Sequence, residues 1–154
     1  MTEKSTSNKV RRAIFAGSFN PFTTGHYSIV ERGLALFDEI IIALGINADK
    51  PTDTAQENAQ AINALYSNEP RVKVVIWQGL TVDLAKKEKA EFFLRGVRNS
   101  TDFEYEKNMA DINRKISGIE TVLIPTLPEL SSVTSTVVRE LKSYGRDVTE
   151  FLPN

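Results

Sequence analysis

The sequence contains no cysteine and only one histidine among its 154 residues. The absence of cysteine excludes disulfide bonds, thiolate nucleophiles and sulfur ligands for metals, and it fits a reducing compartment. We therefore expect a cytoplasmic protein. A single histidine also excludes zinc sites that are built from several imidazoles.

The sequence also lacks an excess of charge and a long apolar run. Lys and Arg number 19 against 20 Asp and Glu, so a wide basic surface for nucleic acid is not expected. No apolar run is long enough to cross a bilayer, and we expect no membrane partner. Residues 1–9 are polar and lack the apolar segment of a signal peptide. We expect a flexible polar arm over residues 1–9 and a single domain over residues 10–154.

Short apolar runs and helical spacings alternate five times along the chain. The predicted strands cover residues 11–16, 39–46, 72–77, 90–94 and 120–124. The predicted helices cover residues 25–37, 55–66, 81–89, 101–116 and 137–144. This alternation predicts a single-domain, Rossmann-like α/β fold. Its sheet should be five-stranded, doubly wound and mostly parallel, with helices on both faces.

The fourth predicted helix has a marked apolar stripe. Thr101 and Glu104 have the spacing of a capping box at its start. We expect the stripe to face the core, as we also expect for Trp77. The members of the stripe are Tyr105, Met109, Ile112 and Ile116.

A loop of small residues, G-S-F-N-P-F-T-T-G-H at positions 17–26, joins the first strand to a helix. Pro21 excludes a regular helix through this loop, and Gly25 permits backbone conformations that a side chain would resist. Free N–H groups and the helix dipole make such a helix start an anion site. His26 could simply cap the helix. Its position after Gly25 favours a role as a donor to a phosphoryl oxygen.

Polar residues also follow the other predicted strands, and the carboxyl ends of parallel strands share one edge of a sheet. These residues are Lys50, Thr81, residues 95–98 and residues 131–136. The guanidinium groups of Arg95 and Arg98 suit phosphate oxygens. Alone, Lys50 is typical of a solvated loop and the hydroxyl run 131–136 of a helix cap. Glu106 could face this crevice or water, and the sequence favours neither.

Two segments resemble known signatures of the nucleotidyltransferase superfamily. T-T-G-H at the end of the first loop resembles the T-x-G-H signature, and V-T-S-T-V-V-R at 133–139 resembles the second. Three further segments resemble the bacterial phosphopantetheine adenylyltransferase family. These are L-R-G-V-R at 94–98, D-F-E-Y-E at 102–106 and D-V-T-E-F-L-P at 147–153.

The resemblance implies that the adenylyl group of ATP passes to 4'-phosphopantetheine, giving dephospho-coenzyme A and pyrophosphate. The acceptor phosphate would attack the α-phosphorus in line, without a covalent enzyme intermediate. Mg²⁺ would bridge ATP oxygens without a dedicated protein cage, so no metal-ligating residue is expected. Dephospho-coenzyme A or coenzyme A is expected as product or inhibitor. A homohexamer is expected by analogy with the family.

The resemblance also implies roles for individual residues. The catalytic residues would be His26, Lys50, Ser18 and Arg98. The acceptor would contact Ser18, Lys50, Thr81 and Arg95. The ATP site would comprise Ser18, Phe19, His26, Gly96, Val97, Arg98, Glu106, Ser131, Ser132, Val133, Thr134, Ser135 and Thr136.

Two other functions fit parts of the sequence. The superfamily signatures also permit adenylyl transfer to another phosphate acceptor, such as nicotinamide mononucleotide, although R-G-V-R and F-E-Y-E fit that substrate less well. A non-catalytic nucleotide-binding module is the second alternative. It has no evident need for four polar groups together, namely His26, Lys50, Arg95 and Arg98.

Overall fold

A computed structural model describes residues 9–46 and 52–154, with the backbone alone described for residues 52 and 53. The strands are β1 (Arg12–Gly17), β2 (Glu39–Gly45), β3 (Val72–Trp77), β4 (Phe92–Val97) and β5 (Glu120–Pro125). The helices are α1 (Thr24–Gly33), α2 (Thr52–Leu65), α3 (Thr81–Glu88), α4 (Ser100–Ser117) and α5 (Ser135–Ser143). Short 3₁₀ turns occur at Pro128–Leu130 and Thr149–Phe151. The predicted polar arm lies outside the described residues except for Lys9.

The five strands form one parallel sheet in the order β3-β2-β1-β4-β5. β1 lies at its centre, where Ala13 is in register with Ile40 of β2 and Phe92 of β4. The strand order reverses between β1 and β4, which is the point where ligands bind in open sheets of this kind. The predicted single-domain, doubly wound α/β fold is therefore confirmed.

Two apolar cores cover the two faces of the sheet. One contains Ile40 and Ile42 together with residues of α1 and α2 such as Val30 and Ile62. The other contains the intervening Ile41 together with residues of α3. Both faces are covered, so the central strands are apolar at nearly every position. Among the described residues, no helix is long and apolar enough to cross a membrane.

Most predicted boundaries differ from the structure by a few residues, and two of these differences bear on the site. The first helix ends at Gly33 rather than at residue 37. Here the helix crosses the sheet so closely that a Cβ on Gly33 would lie 2.7 Å from Leu94 Cδ2. β4 continues to Val97, and Arg95 pairs in register with Leu123 of β5. Arg95 is therefore fixed by a strand and does not lie in a loop.

The predicted orientation of α4 is wrong. Its N-cap is Asn99, whose side chain accepts a hydrogen bond from the Asp102 N–H at 2.9 Å, so Thr101 does not cap it. The expected core stripe is 38–62% exposed. Periodicity identifies one apolar face but does not determine whether the sheet covers that face. The exposed members are Tyr105, Met109, Ile112 and Ile116.

Trp77 is half-buried at the end of β3 and packs against the edge of the second apolar core, so the expectation that it belongs to the core is met only in part. Its indole N–H donates to the carbonyl oxygen of Leu80 at 2.9 Å. The ammonium group of Lys87 lies 5.5 Å from the ring centre. The indole therefore serves as a platform at the sheet edge, beside the turn into α3.

Candidate active site

A crevice of about 290 Å³ opens at the carboxyl edge of the sheet, where β1 and β4 end. We call it the main crevice. α1 and α5 begin at its wall, and α4 contributes residues from its first two turns. Helix N-termini favour anions, so this edge is suited to phosphate groups. The predicted site residues that line it are Ser18, Phe19, His26, Arg95, Gly96, Arg98, Glu106, Val133, Thr134 and Ser135.

The loop after β1 is held against the sheet by aromatic packing. Phe19 adopts a positive φ of 46° and is buried, and its ring lies 5.1 Å from Phe15 and 5.4 Å from Phe22. Gly17 leaves room for this fold, because a Cβ there would lie 3.1 Å from the Phe19 ring. The loop therefore projects Ser18 into the crevice on a rigid base, and Ser18 itself is exposed.

His26 both caps α1 and lines the crevice. The Thr23 N–H donates to His26 Nδ1 at 2.9 Å, and the His26 N–H donates to Thr23 Oγ1 at 3.4 Å. This reciprocal pair is a capping box in which histidine takes the place of the usual glutamate or glutamine. Because Nδ1 accepts a hydrogen bond from a backbone N–H, the neutral ring carries its proton on Nε2.

The environment of His26 keeps its imidazole neutral. Burial, followed by the positive charges of Arg95 and Arg98, lowers its pKa to about 4. The rings of Phe19 and Phe22 lie 5.0 and 5.4 Å from the imidazole and contribute to its burial. At neutral pH the ring is therefore an uncharged Nε2–H donor, and it needs no protonation to bind an anionic oxygen.

Arg95 is held by a buried carboxylate. Its Nε donates to Glu106 Oε1 at 2.8 Å, its Nη2 donates to Oε2 at 2.9 Å, and its Nη1 donates to the carbonyl oxygen of Ala16. Glu106 is 8% exposed, so it faces the protein and not water. The sequence left open whether Glu106 faces the crevice or water. Its contact with the Arg95 guanidinium places it at the crevice.

Arg98 is held in the same way by Asp102, a residue that sequence reasoning missed. Its Nε donates to Asp102 Oδ2 at 2.8 Å and its Nη2 to Oδ1 at 3.2 Å. The hydrogen bond from Arg98 is the main reason why the pKa of Asp102 lies below its usual range. A usable signal existed, because Asp102 is four residues after Arg98 and, on the predicted helix, one turn before Glu106.

The second signature segment is tied directly to the first loop. Thr134 caps α5 by accepting a hydrogen bond from the Val137 N–H at 3.1 Å. The Ser135 hydroxyl donates to the carbonyl oxygen of Pro21 at 2.7 Å, and Arg139 Nη1 donates to that of Asn20. Arg139 was also missed, although it ends the segment that carries the resemblance. The start of α5 is therefore fixed relative to the loop that carries Ser18.

Four residues predicted for the ATP site do not line the main crevice: Val97, Ser131, Ser132 and Thr136. Thr136 accepts a hydrogen bond from Arg139 Nη2 at 3.3 Å. Thr126, the first residue after β5, does line the crevice, and the rule that placed the other strand-end residues also predicts this position. Lys50 lies outside the described residues, and its role stays a prediction.

A second cavity of about 180 Å³, the side cavity, lies beneath α4. Thr81, Met109 and Asn113 are among its lining residues. Arg95 and Glu106 line both the side cavity and the main crevice. The ion pair between them therefore lies at the boundary of the two spaces.

No group of three or more His, Asp or Glu side chains in the described ranges is arranged to hold a metal ion. The two carboxylates that line the crevice, Asp102 and Glu106, are both engaged by arginines. Divalent cations that accompany nucleotides are commonly held by phosphate oxygens and water with little protein ligation. The residues present are compatible with a magnesium ion carried by the nucleotide.

Comparison with known proteins identifies relatives over almost the whole chain. The cytidylyltransferase-like family model matches residues 14–141. A phosphopantetheine adenylyltransferase from Phocaeicola vulgatus is 52% identical over 145 residues, covering 94% of this chain and 96% of the relative. One from Porphyromonas gingivalis is 51% identical over 142 residues, covering 92% and 93%. One from Flavobacterium johnsoniae is 47% identical over 146 residues, covering 94% and 96%.

The fold has a solved counterpart as well. A crystal structure from Vibrio parahaemolyticus, provisionally assigned as a nicotinate-nucleotide adenylyltransferase, superposes with a TM-score of 0.70. The match covers 95% of this chain and 88% of that one, at 19% sequence identity. At this sequence identity the match shows a shared fold and does not show which substrate this chain uses.

Proposed function

The chain belongs to the phosphopantetheine adenylyltransferase family, within the cytidylyltransferase-like proteins, and we propose from its geometry how the main crevice performs the reaction. The reaction is the transfer of the adenylyl group of ATP to 4'-phosphopantetheine in coenzyme A synthesis. It releases pyrophosphate and leaves dephospho-coenzyme A. The acceptor phosphate is itself the nucleophile, so the protein's task is to orient two anions and to stabilise charge.

On the acceptor side, Arg95 binds the phosphate of phosphopantetheine. Arg95 lies between the two spaces, so a phosphate held there reaches the main crevice while the pantetheine arm extends into the side cavity. Thr81 lines that cavity and contacts the arm. Ser18 positions the attacking phosphate from the loop after β1. Lys50 adds a second positive charge at this phosphate.

On the nucleotide side, His26 donates its Nε2–H to an oxygen of the α-phosphate. The donor is fixed by the bond at Nδ1 and so requires no reorganisation during the reaction. Arg98 and the backbone of residues 96–98 contact the nucleotide. The N–H groups at the start of α5, with Thr134 and Ser135 beside them, receive the departing pyrophosphate.

No side chain of the described crevice would be needed to ligate a magnesium ion that accompanies ATP, because phosphate oxygens and water would hold it. When bound, the ion neutralises part of the charge on the transferring and leaving phosphates. Ser18, His26 and Arg98 then orient the phosphates without ligating the metal. The product dephospho-coenzyme A contains both the adenylyl group and the phosphopantetheine group, so it occupies both the main crevice and the side cavity. For the same reason dephospho-coenzyme A and coenzyme A are suited to inhibit the enzyme.

The convergence of His26, Arg95 and Arg98 on one crevice carries this proposal. The test is a pyrophosphate-release assay with ATP, Mg²⁺ and each candidate acceptor. We expect turnover with 4'-phosphopantetheine and none with nicotinamide mononucleotide. Turnover with the mononucleotide alone would overturn the choice of acceptor. Binding of ATP without turnover on either acceptor would indicate a non-catalytic nucleotide-binding module.

We further propose that the chain forms a homo-oligomer through the exposed apolar face of α4. Four large apolar side chains lie on one face of this helix and are 38–62% exposed. Two of them, Tyr105 and Met109, also line the side cavity, so a second copy of the chain packed here would complete the wall of the acceptor site. A hexamer, as expected from the family, is the assembly that we propose.

A further inference from the structure

Two carboxylates one turn apart on α4 each hold one arginine of the main crevice. Glu106 binds Arg95 through both of its oxygens, at 2.8 and 2.9 Å. Asp102 binds Arg98 through both of its oxygens, at 2.8 and 3.2 Å. The two acids therefore lie on one face of the helix, opposite the end of β4.

This arrangement restricts two otherwise flexible side chains. An arginine has several rotatable bonds, and a bidentate contact with a carboxylate fixes the plane of its guanidinium group. For Arg95, the two bonds to Glu106 and the bond to the Ala16 carbonyl oxygen use three of five N–H donors. Two N–H groups remain for a ligand, and their direction is set by Glu106.

The carboxylates themselves are unsuitable for direct contact with phosphate groups. Glu106 is buried, and both of its oxygens accept hydrogen bonds from Arg95. A free carboxylate would also repel the phosphates that bind in the crevice. The effect of each acid on a bound phosphate group must therefore pass through the arginine that it holds.

We propose that Asp102 and Glu106 are positioning residues with separate targets, an inference that rests on the proposed function. Glu106 acts through Arg95 on the acceptor phosphate, and Asp102 acts through Arg98 on the nucleotide. This assignment differs from the sequence-based expectation that Glu106 belongs to the ATP site. It also explains why one helix face carries two acids beside a crevice for anions.

Steady-state kinetics with the two isosteric variants Glu106→Gln and Asp102→Asn test the separation. Glu106→Gln should raise KM for phosphopantetheine about tenfold and change KM for ATP less than about twofold, because one charge-assisted contact to Arg95 is weakened. Asp102→Asn should raise KM for ATP about tenfold and change KM for phosphopantetheine less than about twofold. A purely structural role would move both KM values together or neither.

Glu104→Gln is the matched control, because Glu104 is exposed on the same helix and loses the same charge. It should leave both KM values unchanged. Thermal denaturation of each variant checks that it is folded. If Glu106→Gln does not fold, Glu106→Asp keeps the charge but shortens the side chain, and it should show the same selective rise in KM for the acceptor.

Equal increases of both KM values, or a rise for ATP alone in Glu106→Gln, would overturn the inference. So would unchanged kinetics in both variants. These outcomes leave the proposed function standing, because they are judged against a wild-type enzyme that turns over ATP and phosphopantetheine. Failure of the wild-type enzyme in that assay would instead refute the proposed function.

Discussion

The Ser135 hydroxyl donates a hydrogen bond at 2.7 Å to the carbonyl oxygen of Pro21, 114 residues earlier in the chain. Together with the bond from Arg139 to the Asn20 carbonyl oxygen, it joins the start of α5 to the loop after β1. A Cβ on Gly25 would lie 3.4 Å from the Val133 carbonyl oxygen, so the two segments also approach closely at the backbone. The phosphate-binding edge is thus built from two distant segments that hold each other in place.

Removing this bond should weaken both the fold and the nucleotide site. Ser135→Ala should lower the free energy of unfolding by about 1 kcal/mol, the usual contribution of one such hydrogen bond, and should raise KM for ATP. Denaturant unfolding and kinetics measure the two effects. Ser143→Ala is the control, because the Ser143 hydroxyl bonds only within its own helix, to the Glu140 carbonyl oxygen. Equal effects of the two substitutions would contradict this role for Ser135.

Stability should depend on pH through His26. Its pKa falls from 6.5 to about 4 on folding, mainly because the ring is buried. Between these pH values the unfolded chain binds more protons than the folded chain, so acid favours unfolding. The stabilisation is complete above pH 6.5 and should be lost as the pH falls toward 4, by about 3 kcal/mol in total.

The variant for this measurement is His26→Gln, because glutamine at the third helical position preserves the capping box with Thr23. Denaturant unfolding of both proteins between pH 7 and pH 4 gives the two slopes. The wild-type slope should exceed that of the variant in this range. Identical slopes would mean that His26 titrates normally in the folded protein.

The exposed face of α4 should control the oligomeric state. Ile112→Lys places a charge in the apolar stripe and should shift the protein to smaller species in light scattering coupled to size-exclusion chromatography. Glu104→Lys also adds a lysine at an exposed position of the same helix, but Glu104 is not three or four residues from any member of the stripe, so this variant should leave the assembly intact. An unchanged mass for Ile112→Lys would exclude this face as the interface.

The sequence predicted the sheet well because its central strands leave a strong local pattern. Ile40, Ile41 and Ile42 form a continuous apolar run, as expected of a strand that is covered on both faces. The loop at positions 17–26 was equally predictable, since Pro21 excludes a regular helix there and Gly25 permits backbone conformations that a side chain would resist. The apolar strand and the loop both depend on residues that are neighbours in the chain. Features of this local kind can be predicted from a single sequence.

The relations that sequence reasoning missed are mostly long-range, and the Arg98–Asp102 pair, four residues apart, is the local exception. The partner of Arg95 depends on the packing of α4 against β4, which no local spacing specifies. The same packing decides that Glu106 is inside and Ile112 is outside. His26 both caps α1 and lines the crevice, whereas the sequence presented these two roles as alternatives. Local patterns thus identified most of the candidate residues but not their hydrogen-bonding partners.

The most direct test of the proposed mechanism is kcat for His26→Ala with saturating ATP, Mg²⁺ and 4'-phosphopantetheine. The substitution removes the Nε2–H donor from the α-phosphate, and thermal denaturation checks that losing the bond from the Thr23 N–H leaves the variant folded. We predict that kcat falls by at least about 100-fold while both KM values change little, as for the loss of one preorganised donor. A kcat close to that of the wild-type enzyme would contradict the assignment of His26 and with it the proposed mechanism.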